Sequence, residues 1–395
     1  CPRRPLWLLR QEWREIVSTG NKEGQFKVYV AKYGIYFLFL LVFILLSVSN
    51  KAFFTVNNLL NISKQASIVS IIAMGQTICL ISGGMDLSSG SVMALAGVTS
   101  AMYGLADGTN MPAAVLTAIG VGMTCGLING LIVSWGKVPA FIATLGMQQA
   151  ARGMALLLTN ATPVFGLSEQ YIFLGSGKIS GIPVLVIVMI LVMLASAFML
   201  NKTKFGRHIY AIGGNELSAY VSGLNVKRTR LLAYTITGAL TGLGGLLLAG
   251  RIQSGTPAMA EGYELDAIAG AVIGGVSTSG GIGSVYGAVI GALLMTMVNN
   301  GLDLLNVSAY YQQIIKGIII VLTVFIDVRT KDIKNKRKGE GHEKKDYGKY
   351  SYCGNDSGNI VRMPGNIRGS GKSSHRRGRR EHKDRYRGFR NGKRR

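Results

Sequence analysis

Amide, carboxylate and basic side chains recur inside segments of this chain that are otherwise apolar. Such groups cost free energy in an apolar environment unless they find partners, so they often mark functional positions. Amides, together with Tyr310 and Tyr311, suit a neutral polyol, which needs hydrogen bonds and no fixed counter-charge. Each side chain could equally make a structural hydrogen bond between helices. The candidates for lining a polar path are Gln76, Asp86, Ser88, Asn129, Gln148, Asp266, Asn299, Asn300 and Gln312.

The charged side chains of these segments also have structural interpretations. Asp86 could cap a helix that starts at Leu87, because an Asp side chain accepts hydrogen bonds from the free N–H groups of a first helical turn. Asp266, Arg152 and Lys316 could form ion pairs inside the protein. The sequence leaves these alternatives open.

The residue sets of common catalytic and metal sites are missing from the apolar part of the chain. His208 lies in a basic loop, and His342, His375 and His382 lie near the C-terminus. The four cysteines include no Cys-x-x-Cys pair, and no Gly-x-x-x-x-Gly-Lys-Ser/Thr phosphate loop occurs. We therefore expect neither an enzyme nor a metal site, and no cofactor bound by this chain itself. Any energy from ATP would have to come from a partner.

The composition indicates a membrane protein. Hydrophobic residues make up 48% of the 395 positions and charged residues only 16%, against about 25% charged residues in soluble domains. A membrane-spanning helix needs about 20 mainly apolar residues. We predict an all-α integral membrane protein with about ten spans, at residues 33–49, 65–83, 91–106, 112–135, 138–159, 182–200, 231–250, 265–276, 284–298 and 311–327.

The eighth of these segments is unusual, because residues 265–276 are too few to cross a bilayer alone. A Gly/Ser run at 277–284 follows it. We therefore expect a broken or re-entrant element there. A similar run lies at 83–92, before the third span. This likeness is explained either by internal duplication or by chance similarity between Gly/Ser loops.

The placement of Lys and Arg predicts the orientation. Basic residues are dense in three segments, which are the N-terminal 32 residues, the loop 201–230 and the C-terminal segment. Ten spans place all three on one side of the membrane, which should be the cytoplasm. Both termini are therefore expected to be cytoplasmic.

Glycines recur every four residues in two of the predicted spans. Such small-residue faces let helix backbones approach closely in lipid. We expect them to pack helices within one subunit, with a seam between two subunits as the alternative. The two sets are Gly122, Gly126 and Gly130, and Gly283, Gly287 and Gly291.

The loop 201–230 contains a short predicted helix. Asn215 is a good N-cap, and Glu216 in the first turn suits the helix dipole. Gly223 is placed to end the helix in a left-handed turn. The pattern predicts a two-turn helix over residues 216–222, which would act either as a docking element for another protein or as a simple connector.

Glu216, Ala219 and Gly223 also reproduce the Glu-x-x-Ala-x-x-x-Gly spacing of the coupling helix in ABC importer permeases. Several further motifs, in the same order along the chain, resemble the ribose/xylose/galactoside branch of that family. The resemblance runs from about Asn57 to about Lys331, and Leu217, where the family usually has Ala, is a mild departure. The motifs lie at 83–91 (Gly-Gly-Met-Asp-Leu-Ser-Ser-Gly-Ser), 205–215 (Phe-Gly-Arg-His-Ile-Tyr-Ala-Ile-Gly-Gly-Asn), 264–269 (Glu-Leu-Asp-Ala-Ile-Ala) and 311–317 (Tyr-Gln-Gln-Ile-Ile-Lys-Gly).

The resemblance implies the permease subunit of an importer that moves a monosaccharide, a pentose or hexose such as ribose, xylose or galactose, into the cytoplasm. It implies a homodimeric pore in the bacterial inner membrane, a separate ATP-binding subunit that holds ATP and Mg, and an extracytoplasmic sugar-binding protein. In that scheme Asn215, Glu216, Ala219 and Gly223 belong to the helix that couples to the ATP-binding subunit. An ion-coupled secondary sugar transporter is the alternative, and it would need titrating carboxylates such as Asp86 and Asp266.

The chain is expected to divide into a cytoplasmic segment at 1–32, a membrane domain at 33–328 and a tail at 329–395. The tail carries 23 Lys+Arg against 7 Asp+Glu and little aliphatic periodicity, which is typical of disordered segments. The resemblance fades just after Lys331, which favours a frameshift or read-through origin for the tail. Binding of the tail to anionic lipid or RNA is a further interpretation, although no specific nucleic-acid partner is expected.

Overall fold

The computed structural model describes residues 22–325, with side chains from Tyr36 onward. The predicted boundary of the cytoplasmic N-terminal segment falls inside the first helix. The predicted tail at 329–395 lies outside the described residues.

Helices account for about three quarters of the described part of the chain and strands for only four residues, which confirms the predicted all-α fold. Each of the ten predicted spans coincides with one helix. Helices α6 and α8, and a hairpin of two two-residue strands that precedes α7, were not predicted from the sequence. The elements are α1 Lys22–Ser49, α2 Val56–Ile81, α3 Ser89–Tyr103, a 3₁₀ turn Ala106–Gly108, α4 Met111–Ser134, α5 Ala140–Thr159, α6 Glu169–Ser176, β1 Lys178–Ile179, β2 Ile182–Pro183, α7 Val184–Lys202, α8 Lys204–Gly214, α9 Glu216–Val221, α10 Val226–Ile252, α11 Tyr263–Ile273, α12 Val285–Leu304 and α13 Ala309–Phe325.

Five of these helices are long and apolar enough to cross a membrane, namely α2, α4, α7, α10 and α12. The span count of ten stays a prediction. Helix α11 has 11 residues, and at 1.5 Å per residue it is about 16 Å long. This is about half of a 30 Å hydrocarbon layer, as expected for a broken element.

Helix α2 forms the centre of the bundle and packs against α7, α10, α11 and α12. Its C-terminal part is mainly apolar, and every residue from Ala66 to Ile81 is buried, as expected for a helix surrounded by other helices. Helix α7 lies at the periphery, where large apolar side chains such as Leu191 and Phe198 are exposed. This arrangement suits a protein whose outer surface meets lipid.

The glycine face of α4 packs against α10 within the same chain. A Cβ added at Gly122 would lie 2.2 Å from the carbonyl oxygen of Gly238, and one added at Gly126 would lie 2.3 Å from that of Tyr234. Only glycine allows the two backbones to approach this closely. Gly130 makes the same kind of approach to Leu231.

Helix α12 uses its glycines against α11. A Cβ at Gly291 would lie 1.9 Å from the carbonyl oxygen of Gly270, and one at Gly287 would lie 2.1 Å from that of Gly274. Gly283 does not belong to this face, because α12 begins only at Val285. It lies in the preceding loop, so the prediction that it shares a helix face with Gly287 and Gly291 was wrong.

The two glycine-rich breaks meet in space. The N–H of Gly281, between α11 and α12, donates to the carbonyl oxygen of Ile81 at the end of α2 over 2.9 Å. Gly83 and Gly275 both adopt positive φ, +80° and +85°, which lets each helix end abruptly. Gly213 of α8 packs directly on this contact, since a Cβ there would lie 1.8 Å from the oxygen of Ile81. One junction thus joins both breaks and the loop that carries α9.

Candidate functional site

Four of the predicted path residues form one buried cluster at the break between α2 and α3. Asp86 Oδ1 accepts from the N–H of Ser88 at 2.9 Å and from its hydroxyl at 2.6 Å. Asn129 of α4 donates to Ser88 Oγ at 3.0 Å, and Gln76 of α2 donates to the backbone oxygen of Asp86. All four side chains are at most 2% exposed. The cluster locks the break against α2 and α4.

The cluster also corrects the interpretation of Asp86 as the cap of a helix that starts at Leu87. Helix α3 begins at Ser89, with Ser88 in the N-cap position and no side-chain capping bond. Asp86 instead closes a short turn onto Ser88. The irregular residues between Gly83 and Ser89 delay the helix start, which periodicity alone does not reveal.

A second polar cluster joins α11, α12 and α13. Asp266 Oδ2 accepts from Lys316 Nζ at 3.0 Å and from Asn299 Nδ2 at 3.3 Å. The other Asp266 oxygen, Oδ1, has no hydrogen-bond partner among the described residues. The structure therefore contains the ion pair that the sequence allowed for Asp266 and Lys316. Arg152 takes no part in it.

A third cluster lies beside the second, and its central residue, Glu264, was missed as a site candidate. Gln148 of α5 donates to Glu264 Oε1 at 3.4 Å. Arg152 donates to the backbone oxygens of Pro257 and Met259. Glu264 lies in the first turn of α11, where the helix dipole favours a negative charge. The sequence signal that could have identified Glu264 was the presence of two carboxylates, at positions 264 and 266, in an otherwise apolar segment.

Glu264 also contacts the first turn of α3. A Cβ at Gly90 would lie 2.0 Å from Glu264 Oε2. The starts of two helices shorter than a full span, α3 and α11, are thus brought together around one carboxylate. Discontinuous helices whose N-termini meet inside the membrane are typical of transporter binding sites.

The remaining path candidates lie apart from these clusters. Asn300 exchanges hydrogen bonds with Asn58 at 2.9 and 3.0 Å. Gln312 donates to Asp303 at 2.8 Å. Of the nine path candidates, Gln76, Asp86, Ser88 and Asn129 thus form one group, and Asp266 and Asn299 form a pair. The other three, Gln148, Asn300 and Gln312, are separate. Among the described residues, no group of three His, Cys, Asp or Glu could hold a metal ion.

The predicted short helix forms as α9. Asn215 Oδ1 accepts from the N–H of Ser218 at 2.8 Å, and Gly223 ends the helix with φ +82°. Ala219 is 4% exposed and packs with Ile212 and Val226. Glu216 pairs with Arg230 of α10 at 2.8 Å. The helix is therefore held at both ends and on one face.

The other face of α9 carries exposed apolar side chains. Leu217, Tyr220 and Val221 are 72%, 70% and 77% exposed. Beside them runs a groove of about 1220 Å³, lined also by Lys137 and Pro139 from the connection between α4 and α5. A short fixed helix with an exposed apolar face next to a groove has the form of a docking surface for another protein.

An apolar helical bundle, two short helices that meet at buried polar groups, and a short helix with an exposed apolar face are together typical of a multi-pass membrane permease. The chain matches the family described as branched-chain amino acid transport system / permease component over residues 58–324. It belongs to this family of ABC transporter permease subunits. It is a transporter subunit and not an enzyme, and ATP hydrolysis falls to a separate subunit.

Curated relatives carry sugars in their names, whereas the family description names branched-chain amino acids. The chain is 42% identical to the ribose import permease protein RbsC of Escherichia coli (strain K12) over 73% of this chain and 91% of the relative. It is 39% identical to RbsC of Bacillus subtilis (strain 168), over 79% and 98%. It is 37% identical to the D-allose transport system permease protein AlsC of E. coli, over 78% and 95%.

These relatives confirm the predicted resemblance to the monosaccharide branch of the ABC importer permeases. They imply an ATP-binding subunit and a binding protein as partners, and a place in the inner membrane as a multi-pass protein. No solved structure matches the chain.

Proposed function

We propose that this chain is the membrane-spanning subunit of an ATP-driven importer for a monosaccharide, a pentose or hexose of the ribose, xylose or galactose type. The names of the curated relatives support the substrate class, since ribose, allose and xylose permeases match over most of their lengths. Family membership also favours ATP over an ion gradient as the energy source.

The observation that carries the proposal is the geometry of α9. Three large apolar side chains stay exposed on a helix whose opposite face is anchored through Ala219. A free surface of this kind is costly in water unless a partner covers it. We assign it to the ATP-binding subunit, which would hold ATP and Mg, and we place Asn215, Glu216, Ala219 and Gly223 in the coupling element.

The proposed orientation follows from α9. Its loop carries six Lys and Arg residues between positions 201 and 230, and such loops stay in the cytoplasm. Both termini then lie in the cytoplasm as well, and the sugar-binding protein docks on the opposite face.

We further propose that two copies of the chain form the pore. Gln149 on α5 and Gln313 on α13 are exposed in the single chain, although both helices coincide with predicted spans. Amides that face lipid are costly. A second copy, or the water-filled path between two copies, would supply hydrogen-bond partners.

The test is ATP-dependent uptake of labelled D-ribose, D-allose and D-xylose in vesicles that hold the full-length chain, its ATP-binding subunit and its binding protein. Glu216→Lys places two cations together at Arg230, and Gly223→Pro cannot adopt φ +82°. Both variants should insert normally and lose uptake, whereas the control Ser218→Ala should keep it. Retained uptake in both variants would refute the coupling assignment, and uptake that a protonophore abolishes at constant ATP would favour the ion-coupled alternative.

A further inference from the structure

A recess of about 360 Å³, lined by both apolar and polar residues, lies between the first turn of α11 and the middle of α13. Both helices coincide with predicted spans, so the recess lies within the membrane domain and away from the α9 surface. Its volume is near the lower limit for small-molecule sites, which run from about 300 to 1,000 Å³. The polar side chains that line it are Glu261, Glu264, Gln313 and Lys316.

Glu264 keeps acceptor capacity that the chain does not use. Its side chain is 7% exposed. Gln148 donates to Oε1 at 3.4 Å, and the backbone N–H groups of Gly262 and Glu264 also interact with the carboxylate. Oε2 has no hydrogen-bond partner among the described residues. The nearby Arg152 donates to backbone oxygens instead. Buried carboxylates normally gather several donors, so this one is suited to receive more.

The opposite wall of the recess supplies donors. Lys316 donates to Asp266 at 3.0 Å, and its ammonium group has three donors in total. Gln313 lies one turn earlier on α13, exposed, with both an amide donor and an amide acceptor. Asp266 Oδ1 and Asn299 Oδ1, behind Lys316, also lack partners among residues 36–325.

These groups select a ligand with many hydroxyls and no net charge. Hydroxyl groups both donate and accept hydrogen bonds. They therefore match a recess with carboxylate oxygens on one wall and ammonium and amide groups on the opposite wall. Three carboxylates, Glu261, Glu264 and Asp266, stand close to two cations, Arg152 and Lys316, so the opposite charges nearly balance. The small volume favours one sugar ring over two.

We infer that this recess is a monosaccharide-binding site within the permease itself. Glu264 accepts hydrogen bonds from ring hydroxyls, while Gln313 and Lys316 donate to ring oxygens. The assignment rests on the proposed import of a monosaccharide and specifies where the sugar is held during passage. Because Glu264 also contacts Gly90 of α3, a bound sugar would influence the positions of the first turns of both α3 and α11.

The test is protection of a thiol at the recess by D-ribose. Gln313→Cys introduces an exposed thiol into the full-length chain assembled with its ATP-binding subunit, and its rate of labelling by a hydrophilic maleimide is measured with and without D-ribose. Labelling of the unsubstituted chain is subtracted to remove the native cysteines. At a sugar concentration of about ten times Kd, labelling should slow about tenfold, because only empty sites react.

Three controls make the result specific. Tyr310→Cys lies one turn earlier on α13, is 79% exposed in the parent chain and does not line the recess, so its labelling should not respond to D-ribose. Adding Glu264→Gln to Gln313→Cys should weaken the protection. If the Glu264→Gln protein does not insert, Glu261→Gln, at an exposed position on the same wall, takes its place.

The uptake assay separates failure of this site from failure of the proposed function. If the unsubstituted complex imports D-ribose, D-allose or D-xylose, and none of them protects Gln313→Cys, the site assignment is overturned while the function stands. Protection by sodium chloride and not by sugar would overturn it in favour of a cation site. If the unsubstituted complex imports no monosaccharide, the proposed function fails and the assignment fails with it.

Discussion

Replacement of Gly213 by Ala tests the junction where α8 packs on the two glycine-rich breaks. A Cβ there would lie 1.8 Å from the oxygen of Ile81 and 2.4 Å from the nitrogen of Gly281, whereas ordinary contacts begin at 3.4 Å. Helix α8 must therefore withdraw by roughly 1.5 Å, or the hydrogen bond between Gly281 and Ile81 must break. Overpacking costs about 1–3 kcal/mol and a lost hydrogen bond about 1 kcal/mol.

The expected loss is thus about 1–3 kcal/mol in the free energy of unfolding. Each kcal/mol shifts Tm by about 2–4 °C in domains of 150–250 residues, so Tm should fall by about 2–12 °C. The assay is the fraction of monodisperse protein that remains in detergent after heating, followed by size-exclusion chromatography.

Gly214→Ala is the matched control, because a Cβ at Gly214 meets no atom within 4 Å. Its Tm should stay the same or rise slightly, since Ala restricts the unfolded chain more than Gly does. Equal Tm values for the two variants would show that the junction is not closely packed, and the reasoning from these distances would fail.

Two other perturbations have clear expected outcomes. Lys316→Met leaves Asp266 buried without its ion partner and should cost about 3–5 kcal/mol of stability. Adding Asp266→Asn should recover part of the lost stability, and equal Tm values for the single and double variants would contradict the pairing. Gly122→Ala pushes a methyl group against the oxygen of Gly238 and should lower the yield of folded protein. Gly146→Ala, at a position with open space around it, should not lower the yield. Equal yields of the two variants would contradict close packing of α4 on α10.

The sequence was sufficient for the parts of the fold that depend on local signals. Ten apolar runs coincide with ten helices because hydropathy is a property of each segment taken alone. The α9 helix was predicted because its capping residue and its terminal glycine lie within nine residues of one another, and the N-cap bond of Asn215 is observed at 2.8 Å.

The candidate sites depend on contacts between distant segments, and there the sequence was less informative. Asp266 and Lys316 lie 50 positions apart, and the sequence allowed ion pairs among Asp266, Arg152 and Lys316 without indicating which residues pair. Glu264 was overlooked because its partner Gln148 comes from α5, 116 positions away. Polar residues in apolar segments thus predicted that polar clusters exist, without predicting their membership.

Glycine spacing also misled at one position. Gly283 continues a four-residue period with Gly287 and Gly291, yet the helix starts two residues after it. The period was read as a helix face, whereas the first glycine packs on Ile81 and Val276 from a loop. A glycine-rich run gives the same pattern whether it serves a helix interface or a turn.

Asn215 is both the C-cap of α8 and the N-cap of α9, so a single residue connects the two helices. Its backbone is extended, with φ −160° and ψ 106°, and only these two torsions separate a helix seated on the bundle from a helix exposed to a partner. Rotation about them would swing α9 like a lever arm while both helices keep their internal hydrogen bonds. A push on α9 therefore reaches the bundle either as a change in angle at Asn215 or as a displacement transmitted through Ala219 and the Glu216–Arg230 pair, and the strength of those contacts decides between them.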